Sequence, residues 1–93
     1  MDYKVQHNIA ENRFEVILDN LISMVEYQID KDGNMKVFHS EVPVALEGRG
    51  IAAAMTKTLL EYVKEKQIKV YPLCSYTRAY IDRHPEYREL VIK

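Results

Sequence analysis

A chain of 93 residues has room for one core and one shallow site, which excludes a second catalytic domain. Thirteen Lys and Arg against fourteen Asp and Glu leave a net charge of −1, without the strong positive field of a dedicated nucleic-acid binder. No apolar run approaches the ~20 residues that cross a bilayer, the single cysteine, Cys74, has no partner for an internal disulfide, and MDYKVQHNIAENR at the start lacks the apolar stretch of a secretory signal. The expectation is one cytoplasmic domain over residues 1–93, with no membrane and no nucleic-acid partner.

Taken in order, YKVQH at residues 3–7 opens a sheet, and residues 14–18 form a second strand in which Phe14, Val16 and Leu18 alternate with Glu15 and Ile17. Asp19-Asn20 suits a tight turn. Residues 21–29 place Leu21, Ser23, Val25, Tyr27 and Ile29 on one face, DKDGN at 30–34 reverses the chain, and residues 35–42 pair back. Such short connections favour an antiparallel meander of about four strands. The periodicity changes after Pro43: Ile51, Met55, Leu59, Tyr62 and Val63 recur at three- and four-residue steps, which predicts an amphipathic helix running to Lys66. Residues 68–74 (IKVYPLC) read as one more strand, and residues 76–83 as a short helix ended by His84-Pro85, because a residue before proline disfavours the α conformation. The fold class is therefore α+β: meander, helix, strand, short helix.

The junction EVPVALEGRGIAAAM passes from strand to helix through Gly48 and Gly50. A glycine loop ahead of a helix lets backbone N–H groups converge, and the helix adds its unpaired first-turn donors and the positive end of its dipole. Such a place suits a pyrophosphate, with Arg49 adding charge at the rim; the same residues also suit a loop that merely needs unusual backbone angles. A P-loop is excluded because no Gly-Lys-Ser/Thr follows, and a dinucleotide fingerprint because the third glycine and the preceding βαβ unit are missing.

HSEVPVALEGRGIAAAM, followed by YPLCSYTRAYIDRHPEY, resembles the compact single-domain branch of the GCN5-related N-acetyltransferase superfamily. The resemblance implies an acetyl-CoA-dependent transfer to an amine of unknown identity, with coenzyme A as co-substrate. The superfamily's Arg/Gln-x-x-Gly-x-Gly/Ala loop falls on Glu47, Gly50 and Ala52, with the amides of Gly48, Arg49 and Ile51 also facing the pyrophosphate, and the pantetheine arm implies backbone contacts from Val42 to Val44. Glu47 departs from the usual Arg or Gln, and a carboxylate beside a diphosphate weakens binding unless it turns to solvent or pairs with Arg49. The helical pair that usually follows the first strand is missing, so the acceptor site is expected to be open or completed by a partner.

Acetyl transfer to an amine needs a route for the amine proton and a donor for the developing oxyanion. His39 and Glu41, two apart on a strand and hence on one face, are the candidate bases; an exposed polar pair is the plainer reading. Cys74 is a candidate nucleophile by resemblance to the compact branch, and otherwise a small buried hydrophobe. Tyr80, on the last helix, is the candidate donor to the departing thiolate, again by resemblance. Tyr62 reads as core packing, Tyr87 as a C-terminal anchor, His84 as a helix-end cap and His7 as a surface residue. The histidines are too dispersed for a zinc pattern, so no metal is expected. The competing function is a noncatalytic acyl-CoA-binding or regulatory domain.

Overall fold

The computed structural model describes residues 3–92; residues 1, 2 and 93 of the expected single domain lie outside it. Five strands, β1 (Gln6–Asn8), β2 (Arg13–Leu18), β3 (Leu21–Ile29), β4 (Met35–Glu41) and β5 (Val70–Pro72), form one sheet in sequence order. Helix α1 (Ile51–Lys66) connects β4 to β5, and α2 (Ser75–Arg83) follows. The meander is antiparallel through β4, as expected, and β5 joins it in parallel. Asp19 and Asn20 both adopt positive φ (54° and 62°), as a two-residue hairpin requires.

Alternation along β2 and β3 sends Phe14, Val16, Val25 and Tyr27 inward, where they pack with Met55, Leu59, Leu60 and Val63 of α1. The cross-strand pair Ile17 and Ile22 faces the other way and is exposed. Tyr80 and Ile81 of α2, then Tyr87 and Leu90 of the closing 3-10 turn Pro85–Leu90, complete the same core. The Tyr87 hydroxyl donates to Glu61 on α1 at 2.6 Å, which gives the anchor its polar partner. His84 Nδ1 meets the Tyr80 carbonyl at 2.8 Å and caps α2.

Several boundaries differ from the sequence expectation. The first strand covers Gln6–Asn8 rather than 3–7, β4 stops at Glu41, and only Val70–Pro72 of the apolar run 68–74 pairs. Pro43 has no N–H to donate and starts a 3-10 turn, Val44–Leu46, which ends β4 early. His7 is half-buried rather than on the surface: its ring stacks on Phe14 at 4.0 Å, meets Tyr62 edge-on at 4.6 Å, and its Nε2 shares a hydrogen bond with the Tyr27 hydroxyl at 2.6 Å.

One irregularity shapes the site. Between Glu26↔His39 and Tyr27↔Val37 the β3–β4 register shifts, leaving Phe38 as an extra residue in β4. Before this bulge Met35 and Val37 face the core; beyond it the parity reverses, so Ser40, opposite buried Val25, turns inward while His39 and Glu41 turn outward.

Candidate active site

β4 and β5 pair only over Met35↔Val70, Lys36↔Tyr71 and Val37↔Pro72. Past that point the two strands part, and the Cys74 amide makes the last tie, donating to the Val37 carbonyl at 2.9 Å. The edge of β4 beyond the bulge is thereby left open toward α2. A cleft of about 360 Å³ occupies the gap, bounded by Ser40, Glu41 and Val42 on one side, the 46–53 loop and helix start on another, and Tyr76 of α2 on the third.

The loop end of the cleft presents backbone N–H donors. Gly48 and Gly50 both sit at φ +80°, a conformation glycine adopts without strain, and Gly50 is the N-cap of α1. A glycine cap has no side chain to occupy the first-turn N–H groups, and the first turn carries no acidic residue. Those donors, at the positive end of a 16-residue helix, therefore remain available where Ile51, Ala52 and Ala53 line the cleft. The Tyr3 hydroxyl donates to the Arg49 carbonyl at 2.6 Å and fixes the loop from outside.

Of the expected coenzyme contacts, Val42, Glu47, Gly48, Gly50, Ile51 and Ala52 line the cleft. Val44 and Arg49 do not. Val44 lies in the 3-10 turn and is 84% exposed, and the Arg49 guanidinium is 4.0 Å from Asp19, a loose surface pair that leaves Glu47 unpartnered by it. Glu47 is exposed, the orientation that least opposes an anion in the cleft.

Cys74 does not itself line the cleft; it is the N-cap of α2, 9% exposed, behind Ser40 and next to Tyr76, which do line it. Burial pushes its thiol up, but the Ser40 hydroxyl at 3.3 Å, the Thr77 and Tyr76 amides and the Thr77 hydroxyl act together to hold it below its ordinary value. The side chain closes no conventional capping bond and the buried Thr77 hydroxyl has no hydrogen-bond partner, so the Ser40 hydroxyl is the side-chain group in hydrogen-bonding contact with the sulfur. His39 and Glu41 form a pair at 3.3 Å on the outward side of β4, and Glu41 reaches the cleft. Tyr80 is packed away from it, stacked on His84 at 4.0 Å; one turn earlier, Tyr76 lines the cleft instead.

Ser40 and Tyr76 are the site residues that sequence reasoning missed. Tyr76 was visible as the residue four before Tyr80 on the same helical face; Ser40 carried no signal, because its direction depends on the bulge. Among the described residues no three His, Cys, Asp or Glu side chains gather in a metal-binding group, and no helix is long and apolar enough to cross a membrane.

The fold that carries this cleft agrees with what comparison with known proteins finds. The family model of the GCN5-related N-acetyl-transferases matches residues 13–90. The chain belongs to that family. Protein NATD1 of Xenopus tropicalis is 31% identical over 86 residues, covering 88% of this chain and 77% of that relative. Protein NATD1 of Homo sapiens is also 31% identical over 86 residues, covering 88% and 74%. Protein NATD1 of Danio rerio is 28% identical over 95 residues, covering 96% and 84%.

Proposed function

We propose that this GCN5-related domain transfers the acetyl group of acetyl-CoA to an amine. The observation that carries the reading is the cleft itself, which has free helix-start donors at one end and, at the other, Glu41 and Ser40, whose hydroxyl lies 3.3 Å from the lowered Cys74 thiol behind it. The amides from Gly48 to Ala52 would take the pyrophosphate. The unpaired edge of β4 around Val42 offers backbone groups to the pantetheine amides, an arrangement resembling the addition of one more strand. Backbone N–H donors along this edge would also steady the oxyanion formed at the thioester carbonyl.

Two routes fit this geometry. In the first, the Cys74 thiolate attacks the acetyl carbonyl, a new C–S bond forms, and the coenzyme leaves as a thiolate that takes a proton from Tyr76; the acceptor amine then attacks acetyl-Cys74 and restores the thiol. Burial raises the Tyr76 phenol pKa, so the donor is protonated at neutral pH. In the second, Glu41, supported by His39, removes the amine proton, directly or through water, and the amine attacks the thioester without a covalent enzyme intermediate. The position of Glu41 in the cleft wall favours this route, the Ser40–Cys74 contact the first.

Intact mass spectrometry of the protein mixed with acetyl-CoA, without acceptor, separates them. An acetyl adduct that disappears in Cys74→Ala supports the first route; transfer to an amine pool with no adduct at any time supports the second. A protein that binds acetyl-CoA and acetylates neither itself nor any amine would refute both, leaving a noncatalytic acyl-CoA-binding domain.

A further inference from the structure

The cleft is not the molecule's only concavity. On the side of α2 facing the C-terminal run, a groove of about 380 Å³ is lined by Pro72, Arg78, Ile81, Asp82, Arg88 and Val91, none of which lines the cleft. Its position follows from the end of the sheet. Val91 bridges in parallel to Val70, and the Ile92 amide donates to the Val70 carbonyl at 3.0 Å, so the run after the 3-10 turn is tied to the outer edge of β5. Ile81, 4% exposed, lies at the base of the groove and Val91 is half-buried beside it.

Over this apolar base stand two cations. Arg78 Nη2 donates to the Pro72 carbonyl at 3.2 Å, which holds that guanidinium at the groove and leaves its other N–H groups free of that bond. Arg88 approaches from the 3-10 turn. Among the described residues neither arginine forms an ion pair, and Asp82, one turn beyond Arg78 on α2, pairs with neither. The groove thus combines an apolar base, a net positive wall and donors arranged in planar forks.

We propose that this groove binds a small organic carboxylate carrying an apolar chain. A carboxylate matches the guanidinium fork with two parallel hydrogen bonds, which a lone ammonium donor would not supply. The apolar chain covers Val91 and Pro72 above buried Ile81, surface that a bare inorganic anion would leave wet. The volume lies at the lower end of the range for small-molecule sites, which limits the chain to a few carbons. Because Cys74 is the N-cap of α2, which carries Arg78, Ile81 and Asp82 further along, a ligand here touches the same helix whose first turn faces the thiol.

The test is a titration of the ¹⁵N-labelled protein with sodium hexanoate, read by amide chemical shifts. Hexanoate is expected to move the Ile81, Asp82 and Val91 signals and to leave Gly48 and Gly50 in place. Affinity should rise with chain length from butyrate to hexanoate, by up to about fourfold per methylene. The double variant Arg78→Gln/Arg88→Gln should bind hexanoate at least about tenfold more weakly with only a small drop in melting temperature, since both side chains are exposed and the one bond lost, to the Pro72 carbonyl, is a surface bond. Four results would each overturn the assignment: no shift at the groove, equal shifts from inorganic phosphate, equal binding of hexylamine, or undiminished binding by the double variant. None of these readouts requires coenzyme binding or acetyl transfer, so the groove and the proposed activity stand or fall separately.

Discussion

Ser40 Oγ lies 3.3 Å from Cys74 Sγ, a contact between residues 34 apart in sequence that exists because β4 gains one residue at Phe38. A hydroxyl beside a thiol stabilises the thiolate, so Ser40→Ala should raise the Cys74 pKa. Iodoacetamide alkylation near neutral pH should slow by roughly three- to tenfold, with the pH profile moved toward alkali. A profile that stays in place would assign the lowered thiol to the α2 amides alone.

Gly50 offers a paired comparison with Gly33. Both have positive φ, +80° and +84°, and an added Cβ meets nothing within 4 Å at either position. Gly50→Ala and Gly33→Ala should therefore each cost about 1–2 kcal/mol through backbone strain. Only Gly50 lines the cleft, so only Gly50→Ala should also weaken coenzyme A binding, by about tenfold or more if one amide contact to phosphate is lost. Calorimetric titration of the two variants checks this; equal coenzyme affinities would remove the loop from the binding site.

The meander, the long helix and the short helix ending at His84-Pro85 were legible because each rests on local pattern: alternation, three- and four-residue spacing, and turn residues. The glycine loop was legible for the same reason, and Gly50 is the N-cap of the helix that begins at Ile51. What local pattern does not contain is the bulge, and with it the direction of every side chain from His39 to Glu41. Nor does it contain His7, which reads as a polar residue near the start of the chain and takes its burial from Phe14, Tyr27 and Tyr62. The exchange of Tyr76 for Tyr80 in the cleft wall likewise follows from how α2 rolls against Tyr87 and His84, contacts made beyond its own sequence.

Glu41 and His39 should matter to turnover and little to the fold, since both side chains are exposed, at 62% and 47%. If Glu41 accepts the amine proton, Glu41→Gln should reduce acetylation of an identified acceptor by roughly 10²-fold while leaving coenzyme affinity near the parent value. His39→Ala should cost less, because that imidazole meets the cleft through Glu41. Parent rates in both variants would place deprotonation of the amine in solvent.

The His7 cluster predicts an acid-side loss of stability. Burial holds the imidazole below its ordinary value of 6.5. The unfolded chain then binds this proton more readily than the folded one, so stability is full above pH 6.5 and falls as the pH drops through that value toward the folded pKa. Around the ring stand the Tyr27 hydroxyl, Phe14 and Tyr62, with Lys66 Nζ 5.7 Å from the centre of the Tyr62 ring. Urea unfolding at about pH 7.5 and about pH 5 should show the decline, and His7→Phe should reduce its slope. An unchanged slope would assign the acid sensitivity to other groups.

The order of the strands in the sheet is also an order of assembly. β1 through β4 are neighbours in space and in sequence, so each hairpin closes over a handful of residues, whereas β5 can join β4 only after the chain has travelled through α1. The cleft lies beside that junction, where β4 runs on past its pairing with β5. A chain that holds only its meander therefore has no such cleft, and a ligand bridging the glycine loop and α2 would tie together segments that the hairpins alone do not bring together.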